Sequence, residues 1–374
     1  MEVSRPGVLS FALGLPAAEL FPAAAYAKAI AQAISADQRA MQYGPPFEPL
    51  KEHIANLMAL RGVECKSEQV FLTTGAQQGI SLLSQLLLNP GERVMVEEMT
   101  YTGFQQVIER YQPEILTVPT NIETGMEVDV AQELLEWGER PDFIYTVTDG
   151  HNPLAVSMSR TKRAHLVGLA KQYRIPIIED DPYGFLYYQD TAIPPLRALD
   201  DQWVLYVGSF SKILAPALRV GWIIAPEALI MSLASIKEAS DINTSTLSQR
   251  AISSYIDAGY LNTHLQMLRS EYRARRDAML HALDKHFPGD SQWHEPTSGV
   301  FIWVELSKEV DTSKALKMAL ETERIAFIPG EAFCINNGRQ ASHCMRLNFS
   351  NASVESIEEG IARLGRVLNG MRKS

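Results

Sequence analysis

The chain has 374 residues, 46% of them hydrophobic and 21% charged, with 34 basic against 44 acidic side chains and a net charge of −10. That length exceeds what one hydrophobic core ordinarily serves and predicts two domains. The acidic balance, without a basic stripe, excludes a nucleic-acid partner, because neutralising phosphates needs clustered lysine and arginine.

In chain order, the opening Met1-Glu2-Val3-Ser4-Arg5-Pro6 lacks the basic-then-apolar pattern of a leader, and no run approaches the ~20 apolar residues of a membrane span. From about residue 48 to about residue 250, apolar strands alternate with helical periods. This predicts an α/β fold with a mainly parallel sheet covered by helices. Within it, Val70-Phe71-Leu72-Thr73-Thr74-Gly75-Ala76-Gln77 reads as strand, small-residue turn and helix start, an order that offers backbone N–H groups and a positive helix end to a phosphate. The strand over 94–99 leads to Tyr101, which is either a core aromatic or a ring that stacks on a ligand. His151-Asn152-Pro153 is an Asn-Pro turn after a strand. The apolar run Ile175-Pro176-Ile177-Ile178 ends in Glu179-Asp180-Asp181, so three acids sit at a strand's carboxyl end, where open α/β sheets bind ligands. No His or Cys stands there at ligand spacing, and no metal is expected.

Next comes Ser209-Phe210-Ser211-Lys212, with Arg219 seven positions beyond the lysine and strands predicted over 203–208 and 220–225. A lysine held between buried strands is desolvated, which lowers its pKa and makes it a nucleophile toward aldehydes. The two serine hydroxyls and the arginine beside it suit a phosphate. The stretch 246–287 reads as a long helix leaving the large domain. Strands over 299–304 and 325–328, helices over 315–323 and 354–368, and the strand Met345-Arg346-Leu347-Asn348-Phe349 then form a smaller α/β domain. A planar guanidinium such as that of Arg346 is the group that grips a carboxylate with two parallel hydrogen bonds. The expected organisation is an N-terminal segment (1–40) packed on the small domain, a large domain (41–265) and a small C-terminal domain (266–374). Cys65, Cys334 and Cys344 are odd in number and stand at no metal spacing, as for free thiols in a reducing compartment, so a cytoplasmic protein is expected.

The segment Ser209-x-Ser211-Lys212 followed by Pro216-x-Leu218-Arg219-x-Gly221-Trp222 resembles the lysine signature of pyridoxal-phosphate enzymes of fold type I, in particular the class I/II aminotransferases. Further elements resemble the same family: Ser10 to Pro16 with Leu20-Phe21-Pro22, Gln42-Tyr43-Gly44-Pro45, Arg269-x-x-Tyr272-x-x-Arg275-Arg276-Asp277 and Gly299-x-Phe301-x-Trp303. Together they run from about residue 10 to about residue 365. They fit best the 2-aminoadipate aminotransferase-like subgroup, which also forms the effector half of MocR-type regulators.

The resemblance implies roles residue by residue. Lys212 would carry pyridoxal 5′-phosphate as a Schiff base and move the substrate's α-proton. Asp180 would partner the pyridine nitrogen, while Tyr183 and Asn152 would bond the ring's phenolic oxygen. Gly75, Ala76, Gln77, Ser209, Ser211 and Arg219 would hold the phosphate, and Tyr101 would stack on the ring. Arg346 would clamp the substrate carboxylate, with Asn152, Gly14 and Leu15 beside it. Tyr43 would reach the cofactor phosphate of a partner subunit, so a homodimer with shared active sites is implied.

Two departures stand out. The family's Asn-Pro-Thr-Gly is Asn152-Pro153-Leu154-Ala155 here, and Phe47 and Leu50-Lys51 replace the glycine and Leu-Arg that usually follow Tyr-Gly-Pro. The expected activity is transfer of the amino group of an L-amino acid to a 2-oxo acid such as 2-oxoglutarate. Phe11, Leu15, Phe47 and Leu154 favour a neutral or aromatic side chain. An amino-acid oxidase or lyase on the same fold, or a non-catalytic cofactor-binding regulator, are the alternative readings.

Overall fold

A computed structural model describes residues 7–335 and 340–371, so the opening hexapeptide lies outside the described residues. The chain begins with β1 (Leu9–Ser10), α1 (Ala23–Ala36) and α2 (Glu48–Ala59). The expected alternation follows: β2 (Val70–Thr73), α3 (Ala76–Leu87), β3 (Arg93–Glu97), α4 (Thr102–Ile108), β4 (Glu114–Val118), a hairpin of β5 (Thr120–Asn121) and β6 (Gly125–Met126), α5 (Val128–Glu136), β7 (Phe143–Thr146), α6 (Arg160–Tyr173), β8 (Ile177–Asp180), β9 (Val204–Ser209) and β10 (Gly221–Ile224). Seven of these strands form one sheet in the order β2-β10-β9-β8-β7-β3-β4. β10 runs antiparallel to both neighbours and all other pairings are parallel.

Strand alternation divides the core. Val94, Val96, Tyr145, Ile178 and Val207 pack with Ile80 and Leu83 of α3 and Phe104 of α4 on one face. Met95, Ile144, Ile177 and Val204 pack with Leu135 of α5 and Leu166 of α6 on the other. With both faces covered, the central strands are buried throughout, which is why they appear in sequence as unbroken apolar runs.

Beyond the sheet stand α7 (Glu227–Asp241), α8 (Thr246–Asp257) and α9 (Tyr260–His286). The single long helix read over 246–287 is therefore two, broken at Gly259, whose φ of 76° lies in the left-handed region. The second sheet uses β11 (Gln292–Trp293), β12 (Phe301–Glu305), β14 (Ile328–Pro329) and β15 (Cys344–Asn348) in the antiparallel order β11-β12-β15-β14, with α10 (Thr312–Thr322) and α11 (Val354–Met371) beside it. The strand read over 325–328 is also two: β13 (Ile325–Ala326) leaves this sheet and pairs in parallel with β1.

The N-terminal segment divides its contacts. β1 lies on β13, and Phe11 accepts from the Asn348 N–H at 2.8 Å. α1 instead packs on α8, where Tyr26 and Tyr255 meet at 6.2 Å and the small buried residues Ala29 and Ala33 allow close approach. Among the described residues no helix is long and apolar enough to cross a membrane, and no His, Cys, Asp and Glu cluster could hold a metal ion.

Candidate active site

The end of β8 shows how three adjacent acids can all be buried. Successive residues of a strand face opposite sides, so Glu179 and Asp181 share one side and Asp180 takes the other. Glu179 accepts from the Thr148 hydroxyl at 2.7 Å and from the Leu196 and Arg197 N–H groups at 2.7 and 2.9 Å. Asp181 accepts from Arg61 at 3.0 Å, the Tyr206 hydroxyl at 3.0 Å and the Gly184 N–H at 2.6 Å. Arg61 continues to Asp149, which Arg163 holds at 2.7 Å from another side. These two acids are therefore structural. Asp180 lines a cleft at the carboxyl ends of the strands, with Oδ2 accepting from the Tyr145 hydroxyl at 2.7 Å and Oδ1 without a partner. Burial pushes its carboxyl up to about 7, opposed by the Tyr145 hydrogen bond and assisted by the nearby charge of Asp181.

The cleft has about 730 Å³ of space free of protein atoms, open solvent at its mouth included. It is lined by Ala76, Gln77, Tyr101, Asn152, Asp180, Ser209, Ser211, Lys212 and Arg219, all singled out in the sequence, and also by Ile80, Val147, Pro182 and Pro216. Lys212 sits in the loop between β9 and β10, and its Nζ donates to the Gly14 carbonyl at 2.6 Å. Burial first, then the positive charges of Arg346 and Arg219, lower its ammonium to about 8.

Gly75 lies behind this lining and caps α3 at a φ of 84°. A Cβ there would stand 2.4 Å from Nη2 of Arg219, which donates to the Thr74 carbonyl at 3.1 Å. The first N–H groups of α3 lack partners inside the helix. With Arg219 and the hydroxyls of Ser209 and Ser211, which are 2.9 Å apart, they form an anion cradle. Gln77 accepts from the Tyr101 hydroxyl at 3.2 Å and donates to the Gly103 carbonyl at 2.8 Å, which ties the ring of Tyr101 to the start of α3.

Arg346, on β15, approaches from the second sheet. Its guanidinium lies between the rings of Phe301 at 3.9 Å and Phe333 at 4.7 Å, and donates to the Asn152 side-chain oxygen and, at 2.6 Å, to the Ala12 carbonyl. Burial lowers its pKa to about 10, so it remains charged at neutral pH. Among the described residues no carboxylate stands within ion-pair distance of it.

A family model described as aminotransferase class I and II matches residues 7–364. The chain belongs to this family. It is 36% identical to aromatic-amino-acid aminotransferase 1 of Thermococcus litoralis, over 98% of this chain and 89% of the relative, and 35% identical to 2-aminoadipate transaminase of Thermus thermophilus, over 98% and 91%. The crystal structure of Pyrococcus horikoshii kynurenine aminotransferase, in complex with PMP, superposes with a TM-score of 0.93 at 35% identity, covering 100% of this chain and 93% of that one.

The aminotransferase is an enzyme of the pyridoxal-phosphate fold type I, and the aminoadipate-like subgroup fits it. Its cofactor is pyridoxal 5′-phosphate, and the cleft suits that group. It offers an unpartnered buried carboxylate oxygen, an amine of lowered pKa and an anion cradle whose Arg219 packs so closely on Gly75 that a Cβ there would collide with the guanidinium.

Several sequence-singled residues stand elsewhere than in the cleft lining. Tyr183 is buried edge-on to Phe301, 5.8 Å away. Gly14 meets the cleft only through its carbonyl on Lys212, and the Leu15 carbonyl accepts from Ser350 at 2.8 Å. Tyr43 is 75% exposed and projects from the surface. Of the apolar residues read as a substrate pocket, Phe11 and Leu154 are corrected by the structure. Phe11 is wholly buried in the main core, and Leu154 is wholly buried against Trp303, Phe333 and Cys334. Phe47 stacks on the Arg250 guanidinium at 4.7 Å. In the altered loop Ala155, where the family has glycine, takes a left-handed φ of 60° of the kind glycine adopts freely. Missed in the sequence were Tyr145, which lay unmarked in an apolar strand, and Phe333, while Phe301 was quoted there as part of a family element without its place against Arg346.

Proposed function

We propose that this enzyme transfers the amino group of a neutral or aromatic L-amino acid to a 2-oxo acid such as 2-oxoglutarate, with Lys212 as the covalent anchor and proton carrier. The convergence of Lys212, the unpartnered Asp180 Oδ1 and the cradle of Gly75, Ala76, Gln77, Ser209, Ser211 and Arg219 on one cleft carries this reading. The cofactor, when bound, supplies the carbonyl that takes up the amino group and a ring that withdraws electrons from the carbon losing its proton.

The side chains supply the rest. Arg346 is a buried cation whose partners are neutral oxygens, so a substrate carboxylate meets an uncompensated charge and a geometry suited to two parallel hydrogen bonds. Lys212, lowered to about 8, passes between amine and ammonium near neutral pH, as an acid–base group for the α-proton must. Asp180 holds negative charge for a protonated ring nitrogen. Burial pushes the Tyr183 phenol above its ordinary range, so it is a hydrogen-bond donor at neutral pH. Tyr101 covers the ring face.

Leu13 and Leu15 are 41% and 45% exposed and flank the Gly14 carbonyl that touches Lys212. They now support the apolar substrate preference in place of Phe11 and Leu154, as does the aromatic-amino-acid activity named for a relative. The exposed Tyr43 suits reach into a second copy, so the working unit is a homodimer, with its large domain over 41–265 and small domain over 266–374. A cytoplasmic setting accords with three free cysteines.

A half-reaction tests the reading. Purified yellow enzyme is mixed with a panel of amino acids without acceptor, while the cofactor absorption band and dissolved oxygen are followed. One equivalent of 2-oxo acid from leucine, methionine or phenylalanine, without oxygen uptake, is the expected result. Faster conversion with glutamate or 2-aminoadipate overturns the substrate class, and repeated turnover with oxygen uptake overturns the transfer.

A further inference from the structure

The three acids at the end of β8 differ in how firmly they are held. Glu179 and Asp181 each accept three hydrogen bonds that fix both carboxylate oxygens. Asp180, fully enclosed, has a single donor among the described residues, the Tyr145 hydroxyl at 2.7 Å on Oδ2. Among the described residues no second hydrogen bond fixes the rotation of this carboxylate, and no basic side chain stands within ion-pair distance of it.

Tyr145 is itself rigidly placed. It lies on β7 beside β8, in register with Ile178 two residues before Asp180, and is wholly buried. Its ring stacks face to face on Phe104, with centroids 3.7 Å apart and planes 5° apart. Burial first, then the charge of Asp180, raises the phenol pKa well above the ordinary value, so the hydroxyl stays protonated and donates. A short hydrogen bond to a carboxylate stabilises the ionised form as well as its orientation.

We propose that Tyr145 is a positioning residue for the amino-transfer reaction, which fixes Asp180 through Oδ2 so that Oδ1 is presented to the ring nitrogen of the cofactor. The proposal rests on the reading of Asp180 as the nitrogen's partner. It adds a hydroxyl from the neighbouring strand on which that partnership depends, and makes the Phe104–Tyr145 stack part of the support of the site.

Tyr145→Phe keeps the stack and removes only the hydroxyl. It is compared with Asp180→Asn and with the double variant in two measurements: the dissociation constant of pyridoxal 5′-phosphate from reconstituted apoprotein, and kcat and KM for the amino acid. Losing one hydrogen bond to a charged group is expected to weaken cofactor binding about tenfold. kcat falls while KM changes little, because Arg346 belongs to another sheet. In the Asp180→Asn background, Tyr145→Phe should change cofactor binding less than about twofold, since the two groups act as a unit. Unchanged binding and kcat in Tyr145→Phe overturn the proposal. So does an equal loss in the Asp180→Asn background, which would assign the effect to packing. If Asp180→Asn alone leaves cofactor binding intact, the reading of Asp180 fails first and the proposal fails with it.

Discussion

Lys212 and Gly14 are 198 residues apart in sequence, and the lysine Nζ donates to the glycine carbonyl at 2.6 Å. The same short segment offers the Ala12 carbonyl to Arg346 and lies beside β1, which pairs with β13. The amine from the large sheet and the guanidinium from the small one are thus both tied to a single stretch of backbone near the N-terminus.

Removing the amine should separate chemistry from binding. Lys212→Ala is expected to keep noncovalent cofactor binding through the cradle, lose the borohydride-trappable link, and fall by roughly 10²–10⁴-fold in kcat, the range ascribed to a positioned acid–base group. Peptide mapping after borohydride treatment of the unaltered enzyme checks the assignment, and a label on any lysine but 212 contradicts it.

At Gly75 both sterics and backbone oppose a side chain. Gly75→Ala would place a methyl 2.4 Å from the Arg219 guanidinium, at a φ of 84°. With ψ at 166° this backbone lies in a region essentially confined to glycine, which alone costs on the order of 1–3 kcal/mol for any other residue. Cofactor affinity is expected to drop about tenfold or more, with inorganic phosphate losing its ability to compete, as read by apoprotein titration.

Arg346 is held by shape as much as by charge, between two phenyl rings. Arg346→Lys keeps the charge but not the planar fork. It should lower kcat/KM for amino acids on the order of 10²-fold, mainly through KM, while the cofactor dissociation constant changes little. A loss confined to kcat would contradict a carboxylate clamp.

The pH dependence of stability follows from Asp180. Its pKa in the folded protein, pushed up to about 7, exceeds the unfolded value of 3.8. Between those values the folded state binds more protons, so this group's contribution to stability falls as pH rises from about 4 to about 7. In cofactor-free protein, Asp180→Asn should therefore raise Tm by a few degrees at about pH 8 and by less at about pH 5, as measured by thermal denaturation.

Much of the site was legible in the linear order because its signals are local. Buried strands write themselves as unbroken apolar runs, a glycine turn before a helix marks an anion cradle, and a lysine among small residues between two such strands marks a desolvated amine. Nine of the singled-out residues line one cleft for that reason. The same apolar runs conceal which polar side chain points where. Tyr145 looked like one more core residue of β7, and only the register of β7 on β8 places its hydroxyl on Asp180.

Sequence alone determined the alternating α/β plan, the lysine and its arginine, and the acid at the strand end, since these depend on periodicity and on neighbours a few residues away. Tertiary structure decided which groups hold Glu179 and Asp181, that Leu154 and Phe11 turn into the core, and that Asn152 meets Arg346 across 194 residues and Gly14 meets Lys212 across 198. Those contacts join elements through the packing of two sheets and the N-terminal segment, and periodicity gives the face of each element but not the partner it meets.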